Sequence, residues 1–289
     1  MKTKYWVIFG LLLAILLVTI YLNWKYEVIA FHPFRSEEKP ELTVMTWNVH
    51  CSKRTDSLKQ RKIADLILEA DADFVLLNEF NLDSCLVIDS LLRTKFTFTE
   101  EKQSHQQCGD IFYSKLEMTN SGRIIIPVRG KTIQTIRATI AVSGDSVQVF
   151  GSHLASNRYD SNSIEQVEES NDDKRLLYEM YYDAQTVRSF QVHWLKKSIK
   201  EAAFSIIVMG DMNDFNCSAP LDTLTLCGLK DSWWEGGNGY GATFHDGWLR
   251  LRIDHILHSK KLKLERIKVI ETNLSDHNPV VAGFSLIKN

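Results

Sequence analysis

Apolar residues in this chain gather into short runs, and several of these runs end on a polar side chain able to hold a metal or a phosphate. The run Val44, Met45, Thr46, Trp47 ends at Asn48, and the run from Phe74 to Leu77 ends at Asn78 and Glu79. The run from Val149 to Ser152 ends at His153, and Ile206 to Gly210 ends at Asp211, with Met212 and Asn213 behind it. Leu251 to Ile253 ends at Asp254, and the series closes with Ser275, Asp276 and His277. One such ending means little, but five suggest a site at the edge of a sheet. Side chains two apart on a strand share a face. Val44, Thr46 and Asn48 therefore share one, as do Val75, Leu77 and Glu79, then Val147, Val149, Gly151 and His153, then Ile207, Met209 and Asp211. The polar ends are expected to converge, and the pattern reads as a hydrolase.

The rest of the periodicity sets these strands in an α/β frame. A strand over 42–49 is followed by a helix over about 56–69, where Leu58, Ile63, Leu66 and Ile67 keep helical spacing. A second helix is predicted near 84–94, and strands around 110–114, 123–128 and 132–142. The polar, acidic stretch 156–173 reads as a loop, then a helix over about 175–199, and the chain returns to strands at 242–244, 248–257, 267–270 and 280–286. Mixed helices and strands with hairpin-length connections predict two packed sheets flanked by helices.

The first 41 residues follow a different rule. Residues 5–22 are uncharged and mostly aliphatic, roughly 27 Å as a helix, close to the thickness of a bilayer core. Tyr5, Trp6, Tyr21, Trp24 and Tyr26 sit near its ends like interfacial aromatics, and Lys2 and Lys4 precede it against Lys25 behind. The expectation is a cytoplasmic 1–4, a transmembrane anchor at 5–22 that also serves as the membrane contact, a linker at 23–41 and a catalytic domain at 42–289, held at the cell membrane on its extracytoplasmic side. A cleaved signal peptide is the alternative, with Val28-Ile29-Ala30 as its cutting site, but the apolar run exceeds a signal core.

Composition narrows the substrate. The length and 44% hydrophobic content allow one large core. Setting Lys2, Lys4 and Lys25 aside from the 34 basic residues leaves 31 against 36 acidic ones. Such a balance argues against indiscriminate binding of long polyanions, which draws on a basic surface. A short phosphate ester remains compatible with a metal-lined acidic cleft. Cys51, Cys85, Cys108, Cys217 and Cys227 lack zinc-site spacing and are expected to be ordinary buried thiols. No protein partner is implied.

Taken in order, Thr46-Trp47-Asn48-Val49, Asn78-Glu79-Phe80, Ser152-His153-Leu154, Gly210-Asp211-Met212-Asn213-Asp214, Arg252-Ile253-Asp254-His255-Ile256 and Ser275-Asp276-His277-Asn278-Pro279 resemble the endonuclease/exonuclease/phosphatase superfamily. The resemblance covers about 42–286. It implies a four-layer α/β sandwich shared by deoxyribonuclease I-like nucleases, abasic-site endonucleases, sphingomyelinases and inositol polyphosphate 5-phosphatases.

The chemistry can also be argued from the residues. Hydrolysis of a phosphate ester needs a cation for the phosphoryl oxygens, an oriented water and a donor for the leaving oxygen. Glu79 is the best metal ligand, with Asn48 and Asp276 beside it, and an oxygen set without a Cys/His cluster suits Mg²⁺ or Mn²⁺. Asp211 is expected to orient or deprotonate the water, and Asn48 and Asn213 to hydrogen-bond the phosphate. Asp254 is expected to hold His277 and raise its pKa, the pairing that the resemblance implies too. His153 resembles the second histidine of the nuclease and sphingomyelinase branches, expected to neutralise phosphate or protonate the leaving group, though its orienting partner is not evident.

Taken singly, each residue has a plainer reading. Asn, Asp and Glu beyond a strand often form turns or caps, and Asp254 has Arg250 and Arg252 on its own face. His50, His245, His255 and His258 read as structural or rim histidines, and Arg188 and Gln191 resemble a structural pair of the family. Asn78 stands where many relatives have Gln, and Met212 where Phe is common. The combined expectation is a membrane-anchored, divalent-metal-dependent phosphodiesterase acting on a lipid headgroup, a nucleotide or short nucleic acid. The alternatives are a phosphomonoesterase on a sugar or inositol phosphate and a non-catalytic binding module. The acidic stretch 165–173 and the loop from Trp233 to Gly241 are expected to frame the cleft.

Overall fold

In the computed structural model, two six-stranded sheets face each other across an apolar layer, and the residues described are 2–33, 38–50, 56–101, 109–128, 131–157 and 171–287. An N-terminal helix α1 (Lys2–Tyr26) and a short strand β1 (Ala30–Phe31) precede them. The chain then runs through β2 (Leu42–Asn48), α2 (Ser57–Glu69), β3 (Phe74–Phe80), α3 (Leu86–Leu92), β4 (Phe98–Glu101) and β5 (Gly109–Ser114). Next come β6 (Met118–Val128), β7 (Lys131–Val142), β8 (Asp145–His153), α4 (Asn171–Glu201), β9 (Ser205–Asp211) and α5 (Ala219–Thr225). The last part holds β10 (Leu229–Asp231), α6 (Ser232–Gly236), β11 (Asn238–Gly239), β12 (Phe244–Asp246), β13 (Leu249–Leu251), β14 (Asp254–Ser259), β15 (Leu262–Val269) and β16 (Val280–Leu286).

The first sheet has the order β15-β16-β2-β3-β5-β4 and the second β10-β14-β9-β8-β7-β6. Each holds one parallel pair, β2 with β3 and β8 with β9, among antiparallel neighbours. Alternation along the strands builds the layers. Val44, Leu76, Phe112, Val149, Ile207 and Phe284 point between the sheets. Met45, Trp47, Val75 and Leu77 point out against Ile63, Ile67 and Ile88 of α2 and α3. On the far side, Phe150 and Val208 pack against Val192, Leu195 and Leu224 of α4 and α5. Asp56 caps α2, its carboxylate accepting from the Lys59 N–H at 2.8 Å, which satisfies one donor of the first turn.

The two sheets with flanking helices agree with the expected α/β sandwich, but its N-terminal part does not. Among the described residues no helix is long and apolar enough to cross a membrane. The transmembrane anchor at 5–22 and the extracytoplasmic placement that depended on it are therefore withdrawn. Part of the expected linker is docked: Asn216 donates to the Tyr26 and Glu27 carbonyls at 3.2 and 2.6 Å, and β1 pairs with β11.

The described cysteines depart from the expected buried thiols: Cys217 is exposed and Cys227 half-buried. Cys217 and Cys227 are free thiols, whereas Cys85 is disulfide-bonded. Cys51 and Cys108 lie outside the described residues, as does 158–170 of the predicted loop over 156–173, whose last three residues already belong to α4.

Candidate active site

The carboxyl ends of the two parallel pairs meet at one edge of the sandwich. In register, Asn48 stands beside Asn78, His153 beside Asp211, and Asp211 opposite Asp254 on β14. Asn48, Asn78, Asp211, Asp254 and His277 are all buried. Every one of the expected site residues lies on or next to these strand ends.

Glu79 arrives by a different route from the one its spacing predicts. Phe74 and Leu76 face the inter-sheet core while Val75 and Leu77 face the helices, so strict alternation would send Glu79 to the helix side. The pairing of β3 with β5 slips between Leu77 and Phe80, and Glu79 adopts a left-handed φ of 53°. This bulge re-aims the side chain, and Glu79 Oε1 accepts a hydrogen bond from Asn48 Nδ2 at 3.1 Å. The shared face of Val75, Leu77 and Glu79 is thus corrected, although Glu79 still reaches the site.

Asn48 also donates to Asp211 Oδ2 at 3.0 Å, and its own Oδ1 accepts from the His50 N–H at 3.0 Å. Asn78 lies one layer below. It donates to Asp110 at 2.8 Å and accepts from the Asp211 N–H at 3.1 Å, so the shorter amide joins β3, β5 and β9 directly. Asp211 Oδ1 accepts from the Asn213 N–H at 2.8 Å. Asn213 has a left-handed φ of 49° and gives one amide hydrogen to the Leu154 carbonyl at 3.0 Å, which leaves the other for a ligand. Gly210 has φ 137°, and a Cβ there would run into the Ser152 carbonyl on β8. Gly210→Ala is expected to cost about 3 kcal/mol in a urea melt, through strain and separation of the parallel pair. An unchanged midpoint would refute that close approach.

His277 donates from Nδ1 to Asp254 Oδ2 at 2.8 Å, as expected, and its Nε2 lies 3.8 Å from Asp211. Burial alone would lower its pKa, but the Asp254 and Asp211 carboxylates outweigh burial and raise it to about 10. Burial and the Asp254 charge raise Asp211, with His277, His153 and the Asn48 amide working against them. The competing partners of Asp254 are occupied elsewhere: Arg252 pairs with Asp231 at 2.8 Å and Arg250 donates to the Gly247 and Leu249 carbonyls.

Two residues escaped the sequence reading. Asp110, at the start of β5, lies 3.8 Å from His153 Nδ1, near it but beyond hydrogen-bonding distance, while Glu79 and Asp211 each lie 3.8 Å from Nε2. Asp110 opens an antiparallel strand and so carries none of the strand-end signal that marks the other residues. His50, taken for a rim histidine, pairs with Asp276 at 3.0 Å. Burial would raise Asp276, but the His50 hydrogen bond and the His277 charge hold it at about 2. His255 and His258 are structural, bonded to Asp231 and Ser232, and Arg188 pairs with Asp214 at 3.0 Å.

The donor chemistry fits a hard divalent cation. Glu79 and Asp276, held as a carboxylate, offer oxygen at the mouth of the site, while the Asn48 amide turns its NH2 to Glu79 and its oxygen to the His50 N–H. Ligand atoms of Asp211, Asp254 and His277 also lie within 4.8 Å of one another. That trio is the poorer set, because Asp254 already accepts from an imidazole that holds its proton, and ligands must be deprotonated. The Trp233 loop lies beside this centre, with Trp233 and Gly241 sharing a small cavity with Asp254. Trp233 is buried, and with Tyr240, Arg250 and Glu271 it lines a hollow of about 700 Å³ to which none of the central carboxylates or histidines contributes.

Comparison with known proteins matches residues 45–277 to the Endonuclease/Exonuclease/phosphatase family. No curated protein matches. Among solved structures, a family protein from Bacteroides thetaiotaomicron is 17% identical, with a TM-score of 0.66 over 86% of this chain and 96% of its own. A humanized D. rerio TDP2 is 19% identical, with a TM-score of 0.63 over 84% and 98%. A 3′ phosphatase, NExo from Neisseria, bound to a product DNA hairpin, is 18% identical, with a TM-score of 0.62 over 84% and 99%. At these identities the likeness establishes the fold.

Proposed function

The chain belongs to the endonuclease/exonuclease/phosphatase family, whose members are hydrolases acting on phosphate esters, and from that premise we propose that it cleaves a phosphodiester by in-line attack of water with the help of Mg²⁺ or Mn²⁺. The observation that carries this reading is the buried Asp211, bonded to Asn48 and 3.8 Å from both His153 and His277. A carboxylate with a raised pKa at that place suits the orientation and deprotonation of a water.

Asp254 fixes the His277 ring, and the imidazolium faces the phosphoryl oxygens as negative charge develops on them. His153, with the Asp110 carboxylate 3.8 Å from its Nδ1, stands where it can give a proton to the leaving oxygen. The free hydrogen of Asn213 donates to the phosphate, while Asn48, with its amide hydrogens on Glu79 and Asp211, holds those two carboxylates in place. Glu79 and Asp276 would hold the cation, with Asn48 next to them; such an ion neutralises phosphoryl charge and lowers the pKa of water. The Neisseria neighbour's DNA product makes nucleic acid or a nucleotide a reasonable first choice of substrate, with a lipid headgroup behind it. The acidic balance of the chain favours short substrates over long strands.

The test compares bis(p-nitrophenyl) phosphate with p-nitrophenyl phosphate in Mg²⁺, Mn²⁺ or EDTA. Diester cleavage lost in EDTA supports the proposal, preference for the monoester replaces it with a phosphomonoesterase, and no turnover of either favours a binding role. Glu79→Gln is expected to weaken Mn²⁺ binding about 10- to 100-fold, read by electron paramagnetic resonance titration. Unaltered affinity would remove Glu79 from the cation site.

A further inference from the structure

We propose that Arg252 positions Asp254 through one bound water, in a small cavity behind the catalytic centre. The proposal rests on the phosphodiesterase reading for its functional part and on geometry alone for the water. Asp254 uses Oδ2 to accept from His277, and its backbone N–H goes to Thr243 Oγ1 at 2.9 Å. Its second oxygen, Oδ1, is buried and has no hydrogen-bond partner among the described residues. Arg252 is 3% exposed and commits Nη1 to Asp231, while its Nε and Nη2 are likewise buried without a partner among the described residues. A carboxylate oxygen and guanidinium hydrogens left bare in the interior are among the costlier arrangements a protein can hold.

Both residues line the same cavity of about 10 Å³, together with Thr243, Ile256 and Val280. That volume is about one water, and a buried water needs a roomy polar site with two or more partners. Here Arg252 supplies donors and Asp254 Oδ1 an acceptor, so one water accepting from the guanidinium and donating to the carboxylate satisfies both. Thr243 Oγ1 accepts from the Ile253 and Asp254 N–H groups, which leaves its hydroxyl hydrogen as a third contact for the same water. The result is a continuous chain from Asp231 through Arg252 and the water to Asp254 and His277. Its effect is to fix the Asp254 rotamer, keeping Oδ2 on His277 and not turned toward the guanidinium. Arg252 is therefore a positioning residue, touching neither substrate nor cation.

The first arm of the test is a high-resolution crystal structure of the full chain. A single density peak within hydrogen-bonding distance of both Arg252 and Asp254 Oδ1 is expected, and an empty cavity overturns the proposal. The second arm is Val280→Ile, which adds one methyl group to the cavity wall and leaves the Arg252–Asp231 pair intact. With the cavity closed in the variant's own structure, kcat is expected to fall about tenfold at unchanged KM and unchanged Tm, since partners that orient a catalytic histidine act on turnover more than on binding. A merely structural pocket would leave kcat alone or raise Tm, and either result overturns the role. Arg252→Met is the weaker variant because it also strips Asp231 of its partner. If the unmodified chain hydrolyses no ester, the phosphodiesterase reading falls while the density peak still decides the water.

Discussion

Asp211→Asn is expected to lower kcat toward a diester by about a thousandfold, with KM changed only a few-fold. The substitution keeps the shape and one oxygen, so either the Asn213 N–H or the Asn48 amide retains its acceptor, but the group that takes a proton from water is gone. A second signature separates loss of chemistry from loss of structure. The folded pKa of Asp211 lies above its ordinary 3.8, so the native state holds that proton more tightly than the unfolded chain does. Its contribution to stability therefore declines as pH rises from about 4 through the folded pKa. The variant lacks that decline, and in EDTA its Tm should gain on the wild type between pH 4 and neutrality. A constant gap between the two Tm curves, or a kcat within tenfold of wild type, would sink the assignment.

Asp254→Asn is expected to cost on the order of 10³ in kcat, because an amide in place of the carboxylate no longer fixes the tautomer of His277 or balances its charge. The pH profile carries the sign. With His277 raised to about 10 from 6.5, its interaction stabilises the fold fully below about pH 6.5 and is lost as pH rises through 10. Removing the first of the two carboxylates that raise it pulls that window down. Thermal melts in EDTA from pH 6 to 10 should show the variant losing Tm at lower pH than the wild type. Parallel curves would mean that Asp254 does not hold the proton on His277.

What the sequence made legible follows the physics of each signal. Asn48, His153 and Asp211 end strands whose alternation is undisturbed, so counting by twos placed them correctly. The same counting failed at Glu79, because a bulge adds a residue to one strand only and leaves no mark in the spacing. Asp110 and His50 were missed because their meaning depends on partners 43 and 226 positions away, His153 and Asp276. The Cys85 bridge was missed too, since connectivity cannot be read from the positions of five cysteines. The anchor at 5–22 was read from hydropathy alone, and among the described residues no helix is long and apolar enough to cross a membrane.

The order of the first sheet has a consequence for how the molecule is made. β2 and β3 form early in the chain, yet the neighbour of β2 on its other side is β16, which pairs Val280 with Thr46 and Phe284 with Leu42. As the polypeptide leaves the ribosome, β2 exposes an unpaired edge until the whole second sheet has been synthesised. Such distant pairing slows folding and leaves a sticky edge in the meantime. His277 arrives with the same late segment, beside Trp47, whose indole donates to its carbonyl at 2.8 Å. Strand closure and completion of the catalytic set are thus one event, and a nascent chain has no active form before it.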